Sequence, residues 1–175
     1  KNDLPTLIEQ AKIVGHEFLI CPHPGELPYK TIDDYRAMAT FFNEVGQKCN
    51  DAGLRFAYHN HEFEYMPIDG TIPMDVLLSE TAPEKVAMEL DLCWIAHAGQ
   101  DPVAYFNANP GRFPFCHVKD LSAEKEIAVV GEGTSDFARI FAANETAGLK
   151  HYIVEHDNPP DPVYAIEAGY TYLTS

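Results

Sequence analysis

The stretch RFAYHNHEFE, residues 55–64, decides the fold. Read with a period of two, it sets Phe56 and Tyr58 on one face and Ala57, His59 and His61 on the other. That is the alternation of a β-strand with one face packed under helices. Three further stretches behave alike: VAMELDL (86–92), FPFCHVKD (113–120) and HYIVEHD (151–157). Each ends an apolar run in His, Asp, Glu or Lys. In the first of them Val86, Met88, Leu90 and Leu92 oppose Ala87, Glu89 and Asp91. In the second His117 and Lys119 share a face, and in the third Ile153, Glu155 and Asp157 oppose Tyr152 and Val154. Strands that converge their polar ends describe the mouth of a barrel, since chemistry collects at the C-terminal ends of parallel strands.

The segments between these strands read as helices. Residues 4–14 carry Asp3 as a cap and Pro5 in the first turn,. A strand at 17–21 runs into the Pro/Gly-rich loop CPHPGELP (21–28). Thr31 and Asp34 have capping-box spacing, with Asp replacing the usual Glu or Gln,. The helix they open aligns Tyr35, Met38, Phe42, Val45 and Cys49 on one face and ends before Gly53,. Further helices fall near 74–80, near 102–108, from Asp136 to Ala147 before Gly148, and from 162 to 173. Five strands alternating with helices predict a parallel sheet with helical crossovers, in a single domain over residues 1–175,.

Of the 175 residues, 46% are hydrophobic, which suits a globular core,. The formal charge of −15 repels phosphate backbones, so nucleic acid and anionic membranes are poor partners. Cys21, Cys49, Cys93 and Cys116 show no C-x-x-C spacing and read as reduced, buried side chains rather than a zinc site. No run reaches transmembrane length,, and the expected location is the cytoplasm. The chain opens on Lys1 within a polar–apolar pattern, so its natural start is expected upstream,.

The inward residues near the strand ends are His59, His61, Glu89, Asp91, His117, Lys119, Glu155 and Asp157. Any one of them reads equally well as a hydrogen-bonded loop anchor. Together they place many charges where burial without a cation is expensive. Carboxylates with imidazole suit a divalent ion such as Mn, Mg, Co or Zn.

At these residues the chain resembles the xylose-isomerase-like TIM-barrel superfamily, which holds sugar phosphate isomerases/epimerases, ketose 3-epimerases, inosose dehydratases and AP endonucleases. The resemblance rests on YHNHEFE, ELDLCW followed by AGQDP, GRFPFCHVKD, VVGEGTSDF and IVEHD. It implies a (β/α)8 barrel, present here as an incomplete barrel of about five parallel strands with flanking helices. A full barrel takes about 250 residues, so the first strands are expected to be missing. An open arc exposes two sheet edges, and a homo-oligomer or another association covering them is expected.

The resemblance implies a metal held from four successive strands, typically by Glu, Asp, His and Glu. Asp91, His117 and Glu155 match three of these positions. At the fourth, where epimerases place Glu, this chain has YHNH, and both His59 and Glu64 are candidates. The implied activity is isomerisation or epimerisation of a sugar, keto-sugar or polyol. A proton is removed beside a metal-polarised carbonyl, giving an enediolate; expulsion of a β-hydroxyl instead makes a lyase or dehydratase. Glu155 fits one acid/base role, and His61, Glu64 and His59 are available for the second.

Lys119 could stabilise an enediolate oxygen or bind phosphate, or equally form an ion pair with Asp91 or Glu89. The loop from Gly131 to Asp136 could offer amides to an anion, although Glu132 and Asp136 argue for a neutral carbohydrate. Trp94 could wall a sugar ring or lie in the core. His16, His97 and His151 read as structural or surface residues. An AP endonuclease would carry His where Trp94 stands, and the acidic charge opposes DNA. A non-catalytic sugar-binding or scaffold protein is the alternative of another class.

Overall fold

The computed structural model describes residues 3–25 and 29–175; the end of the loop CPHPGELP, residues 26–28, lies outside them. The chain divides into two compact units, residues 1–88 and 89–175.

In the first unit, α1 (Leu4–Val14) carries Pro5 in its first turn and ends at Gly15, whose φ of 82° lets its N–H turn back to the carbonyls of Ala11 and Lys12,. Asp3 occupies the N-cap position, but its side chain caps no amide. After β1 (Phe18–Cys21) comes α2 (Ile32–Asp51). Its capping box is complete: Asp34 N–H donates to Thr31 Oγ1 at 3.2 Å, and Thr31 N–H donates to the Asp34 carboxylate at 2.9 Å. The shorter Asp does the work of the usual Glu. Tyr35, Met38, Phe42, Val45 and Cys49 are all buried. Phe42 meets Phe56 and Tyr58 of β2 (Arg55–His59) at ring distances of 5.3 and 4.8 Å. These contacts confirm which face of 55–59 looks toward the helix. β1 and β2 pair in parallel, with Phe18 opposite Arg55 and Cys21 opposite Tyr58.

A 3-10 turn, Phe63–Tyr65, and α3 (Pro73–Glu80) lead to β3 (Val86–Asp91). Asn43 fastens α2 to the end of α3 by donating to the Glu80 carbonyl and accepting from Ala82 N–H, at 2.9 and 2.8 Å.

In the second unit, β4 (Phe115–Val118) pairs in parallel with the end of β3 and with β7 (His151–Val154). Asp91 stands opposite His117, and His117 opposite Ile153. Asp-Pro opens two helices, α5 (Pro102–Ala108) and α8 (Pro162–Thr174), with Asp101 and Asp161 accepting from first-turn amides,. α4 (Leu92–His97), the hairpin β5 (Asp120–Leu121) and β6 (Ile127–Ala128), and the pair α6 (Phe137–Ala142) and α7 (Asn144–Ala147) complete the unit.

Several boundaries differ from the sequence reading. The strand expected over 54–61 stops at His59, so His61 lies in the turn beyond it. The strands around 113–119 and 151–156 stop at Val118 and Val154, leaving Lys119 and Glu155 as the first residues after the ladder. The helix expected from Asp136 to Ala147 bends at Ala143, where ψ is 10° and neither Pro nor Gly marks the break. α4 and the β5–β6 hairpin went unforeseen: α4 follows β3 without a linker, and two-residue strands have no readable period. All four residues of β7 are exposed, including Ile153, which the alternation had set facing inward.

Gly46 marks the closest approach in the first unit. A Cβ there would lie 2.2 Å from the backbone oxygen of Lys85. Gly→Ala inside a helix ordinarily gains roughly 0.8–1 kcal/mol. Here the clash reverses the sign: Gly46→Ala is expected to lower stability by roughly 1–3 kcal/mol, read as the shift in a urea unfolding midpoint.

Candidate active site

The second unit gathers its charged side chains where β3, β4 and β7 end. His117 Nδ1 lies 2.6 Å from Glu155 Oε2 and 3.9 Å from Asp91 Oδ2, and its Nε2 lies 3.4 Å from Glu89 Oε2. Lys119 Nζ lies 3.3 Å from Asp91, 3.0 Å from Glu155 and 3.0 Å from Asp157. The same ammonium stands 5.2 Å from the centre of the Trp94 ring, within cation–π range. Of the two roles open to Lys119, the ion pair is present, with Asp91 as expected and with Glu155 and Asp157 in addition.

Local folding aims these groups. Asp91 is both the last residue of β3 and the N-cap of α4: its Oδ1 accepts from Cys93 and Trp94 N–H at 2.9 and 3.0 Å. The cap pins one oxygen and turns Oδ2 toward Lys119 and His117. Asp91 is fully buried and Lys119 is 2% exposed, whereas Glu155 is partly open to solvent.

Charge settles the protonation states. Burial disfavours the His117 imidazolium, but hydrogen bonds and charge from Glu89 and Glu155 outweigh it and raise its pKa. Burial likewise works against the Glu155 carboxylate, yet Lys119 and His117 hold its pKa below the ordinary value. Lys119 is raised by Asp91, Glu155 and Asp157 against the cost of burial. Even with His117 protonated, four carboxylates face two cationic groups, leaving room for a further cation. Two ligands of one divalent ion at about 2.1 Å stand roughly 3.0–3.4 Å apart. The separations of His117 Nδ1 from the Glu155 and Asp91 oxygens, 2.6 and 3.9 Å, bracket that figure. The donor set therefore fits a metal, and Glu89 on the opposite ring nitrogen is placed to orient the imidazole.

The first unit holds the other named residues. His59 is buried at the end of β2. His61 stacks on Phe63 (5.6 Å, 5° between planes) and meets His59 and His23 edge-on at 5.0 and 5.2 Å. Glu64 is fully buried. Its Oε1 accepts a short hydrogen bond from Tyr58 Oη, and its Oε2 accepts from His61 N–H at 2.8 Å. Burial raises the Glu64 carboxyl to about 7, with the two donors opposing the shift. His97 packs beside Trp94, and His151 stacks on Phe115.

The loop expected to offer amides to an external anion instead wraps an internal one. Asp120 Oδ2 accepts from Gly131 and Gly133 N–H at 2.9 and 3.0 Å, and Oδ1 accepts from Leu121 and Ser135 N–H at 2.8 and 3.1 Å. A Cβ on Gly133 would sit 2.4 Å from Asp120 Oδ1, which explains the glycine. Asp120 follows Lys119 directly, but three of its four partners lie 11 to 15 residues on, beyond the reach of a spacing argument. Glu89 and Asp157 carried the right strand parity without any sign of their partners.

Carboxylates and imidazole at the ends of parallel strands, with helices between, define a β/α-barrel protein with a cation-ready centre. The chain belongs to the xylose isomerase-like TIM barrel family, whose model matches residues 2–174. Its fold is that of the TIM barrel in incomplete form, five parallel strands with flanking helices. The chain is 26% identical over 145 residues to inosose dehydratase of Lacticaseibacillus casei, covering 73% of this chain and 48% of that protein. A sugar phosphate isomerase/epimerase from Parabacteroides distasonis ATCC 8503 superposes with a TM-score of 0.84 at 28% identity, covering 98% of this chain and 63% of that one. IOLI protein with a bound zinc atom superposes with a TM-score of 0.74 at 12% identity, covering 98% and 66%, and shows the shared fold alone. The chain spans about half the length of the curated relatives it matches. No helix among the described residues is long and apolar enough to cross a membrane.

Two outcomes test this geometry. Asp120→Ala leaves four amides without their acceptor, one buried and three partly buried, and is expected to cost roughly 1–3 kcal/mol, seen in equilibrium unfolding. The Glu64 carboxyl, raised from 4.5 to about 7, binds its proton more tightly folded than unfolded. Its contribution to stability is therefore full below pH ~4.5 and is lost as pH rises through ~7, a change of roughly 3 kcal/mol. Glu64→Gln should flatten that slope in melting curves taken between pH 4.5 and 8.

Proposed function

We propose that this chain forms part of a divalent-metal-dependent enzyme that removes a proton beside the carbonyl of a sugar, keto-sugar or cyclic polyol ketone. The observation that carries the reading is the convergence of Asp91, His117 and Glu155 on one another, with Lys119 among them. Asp91, His117 and Glu155 are the proposed metal ligands. His59 is the better fourth candidate, because both oxygens of Glu64 accept hydrogen bonds, one from Tyr58 of β2 and one from His61 of the turn. A bound divalent ion would supply Lewis-acid polarisation of the substrate carbonyl.

The chain's own groups supply the rest. Glu155, held ionised by its cationic neighbours, accepts the proton on one face. His61 is the proposed partner for the other face. Lys119, raised and therefore charged, neutralises the oxygen that gains negative charge. Trp94 is the proposed apolar wall for the sugar. That residues 1–175 act as one barrel domain is part of the same proposal. So is an association covering the exposed strand β7, whose Tyr152, Ile153 and Val154 face solvent.

After proton removal two fates are open. Return of the proton isomerises or epimerises, which the name of the Parabacteroides distasonis structure supports. Loss of a β-hydroxyl as water dehydrates, which the names of the curated relatives support. The deciding experiment is NMR-monitored exchange in D2O over a panel of ketoses and inososes, with the whole protein loaded with Mn, Co or Zn. Deuterium at a carbon beside the carbonyl is expected; a ketose product or a dehydrated product then selects the fate. No exchange and no metal uptake would leave a binding or scaffold role. Glu89→Gln should weaken metal affinity by roughly 10–100-fold, measured by titration against a competing chelator.

A further inference from the structure

We infer that Glu64, braced by Tyr58, is the positioning residue of the turn after β2, acting through the backbone of His61 to set the His59 and His61 rings. The inference deepens the reading above, since it takes both histidines as site residues. β2 ends at His59, and the chain must turn before the 3-10 segment Phe63–Tyr65. That segment returns the Glu64 side chain beneath the strand, where one oxygen meets Tyr58 Oη from the strand and the other meets His61 N–H from the turn. A single carboxylate thus ties the strand to the loop that leaves it.

Packing alone would not select this arrangement. Tyr58 and Glu64 are both fully buried, and an acid in that position costs more than a Leu or Met unless its hydrogen bonds are needed. The turn also fixes ring geometry closely. His61 lies parallel to Phe63 within 5° while standing edge-on to His59 at 88°. A peptide rotation at residue 61 would break both relations. Glu64 itself is closed to solvent, so its influence on a ligand passes through the turn.

Three variants separate the possibilities. In Glu64→Gln the amide oxygen can accept from His61 N–H while its NH2 donates to Tyr58 Oη, so the turn is kept. Glu64→Met removes both bonds, and Tyr58→Phe removes one under milder conditions for folding. The first readout is hydrogen exchange of the His61 amide, which needs no ligand. It should stay within a few-fold of wild type in Glu64→Gln, rise about 10–100-fold in Glu64→Met and rise less in Tyr58→Phe. The second readout is the visible spectrum and affinity of Co(II) in the whole protein: Glu64→Gln should retain them, and Glu64→Met should shift both.

If Glu64→Gln loses Co(II) while its His61 amide stays protected, Glu64 is a ligand in its own right and the inference fails. It fails equally if the His61 amide exchanges alike in all three variants and wild type. A wild-type protein that takes up no Co(II) overturns the proposed function instead, and the exchange data still decide the role of Glu64.

Discussion

Acidic side chains cannot be buried at the ends of parallel strands without something positive beside them. In the second unit that requirement is met from within, by Lys119 set among Asp91, Glu155 and Asp157. Much of the local architecture follows. β4 must end so that Lys119 leaves the ladder next to Asp91. Asp91 must commit one oxygen to capping α4 so that the other faces inward. Glu155 must remain partly solvated, because two cationic groups do not balance four carboxylates. A lysine is a compact point charge on a flexible stem, which lets one ammonium reach three carboxylates.

The buried carboxylates fall into two kinds, and the distinction is physical. Asp120 spends both oxygens on four backbone amides, and Glu64 spends its two on one amide and one phenol. Their directional bonding is satisfied by the fold, which marks them as braces. Asp91 gives one oxygen to amides and turns the other to side-chain cations, as the partly exposed Glu155 also does, and side chains can move or be replaced by an ion. All four are carboxylates; what separates the two kinds is whether every oxygen is held by neutral donors or one is left facing side-chain cations.

That distinction explains what was legible in the sequence. Strand parity placed Asp91, His117, Lys119 and Glu155 on a common side, because alternation depends only on nearest neighbours. The capping box at Thr31 and Asp34 was equally local. Asp120 was not legible, because its partners in the Gly131–Ser135 loop join it only through a hairpin of two-residue strands. The same loop, with its glycines and amides, read as a place for an external anion. Its amides do meet an anion, the Asp120 carboxylate of the chain itself. The reach of β2 was overestimated for a related reason: alternation continues through His61 on paper, while the Glu64 carboxylate bends the chain after His59.

Shared chemistry also explains why relatives with different names match the same chain. Isomerisation, epimerisation and elimination of a β-hydroxyl begin with one step, loss of a proton beside a polarised carbonyl. They part only at what the next proton or leaving group does. As the proposed metal ligands, Asp91, His117 and Glu155 would serve that first step alike, so nothing in them separates a dehydratase from an epimerase. The separation has to come from groups that meet the second carbon. Under the proposed function those are the residues of the turn after β2, where the sequence reads YHNH in place of the Glu that the resemblance implies. A histidine can deliver a proton to a leaving hydroxyl as readily as take one from carbon, because its charge change falls near neutral pH. Under the proposed function, histidine in place of the epimerase carboxylate is the feature that would favour elimination.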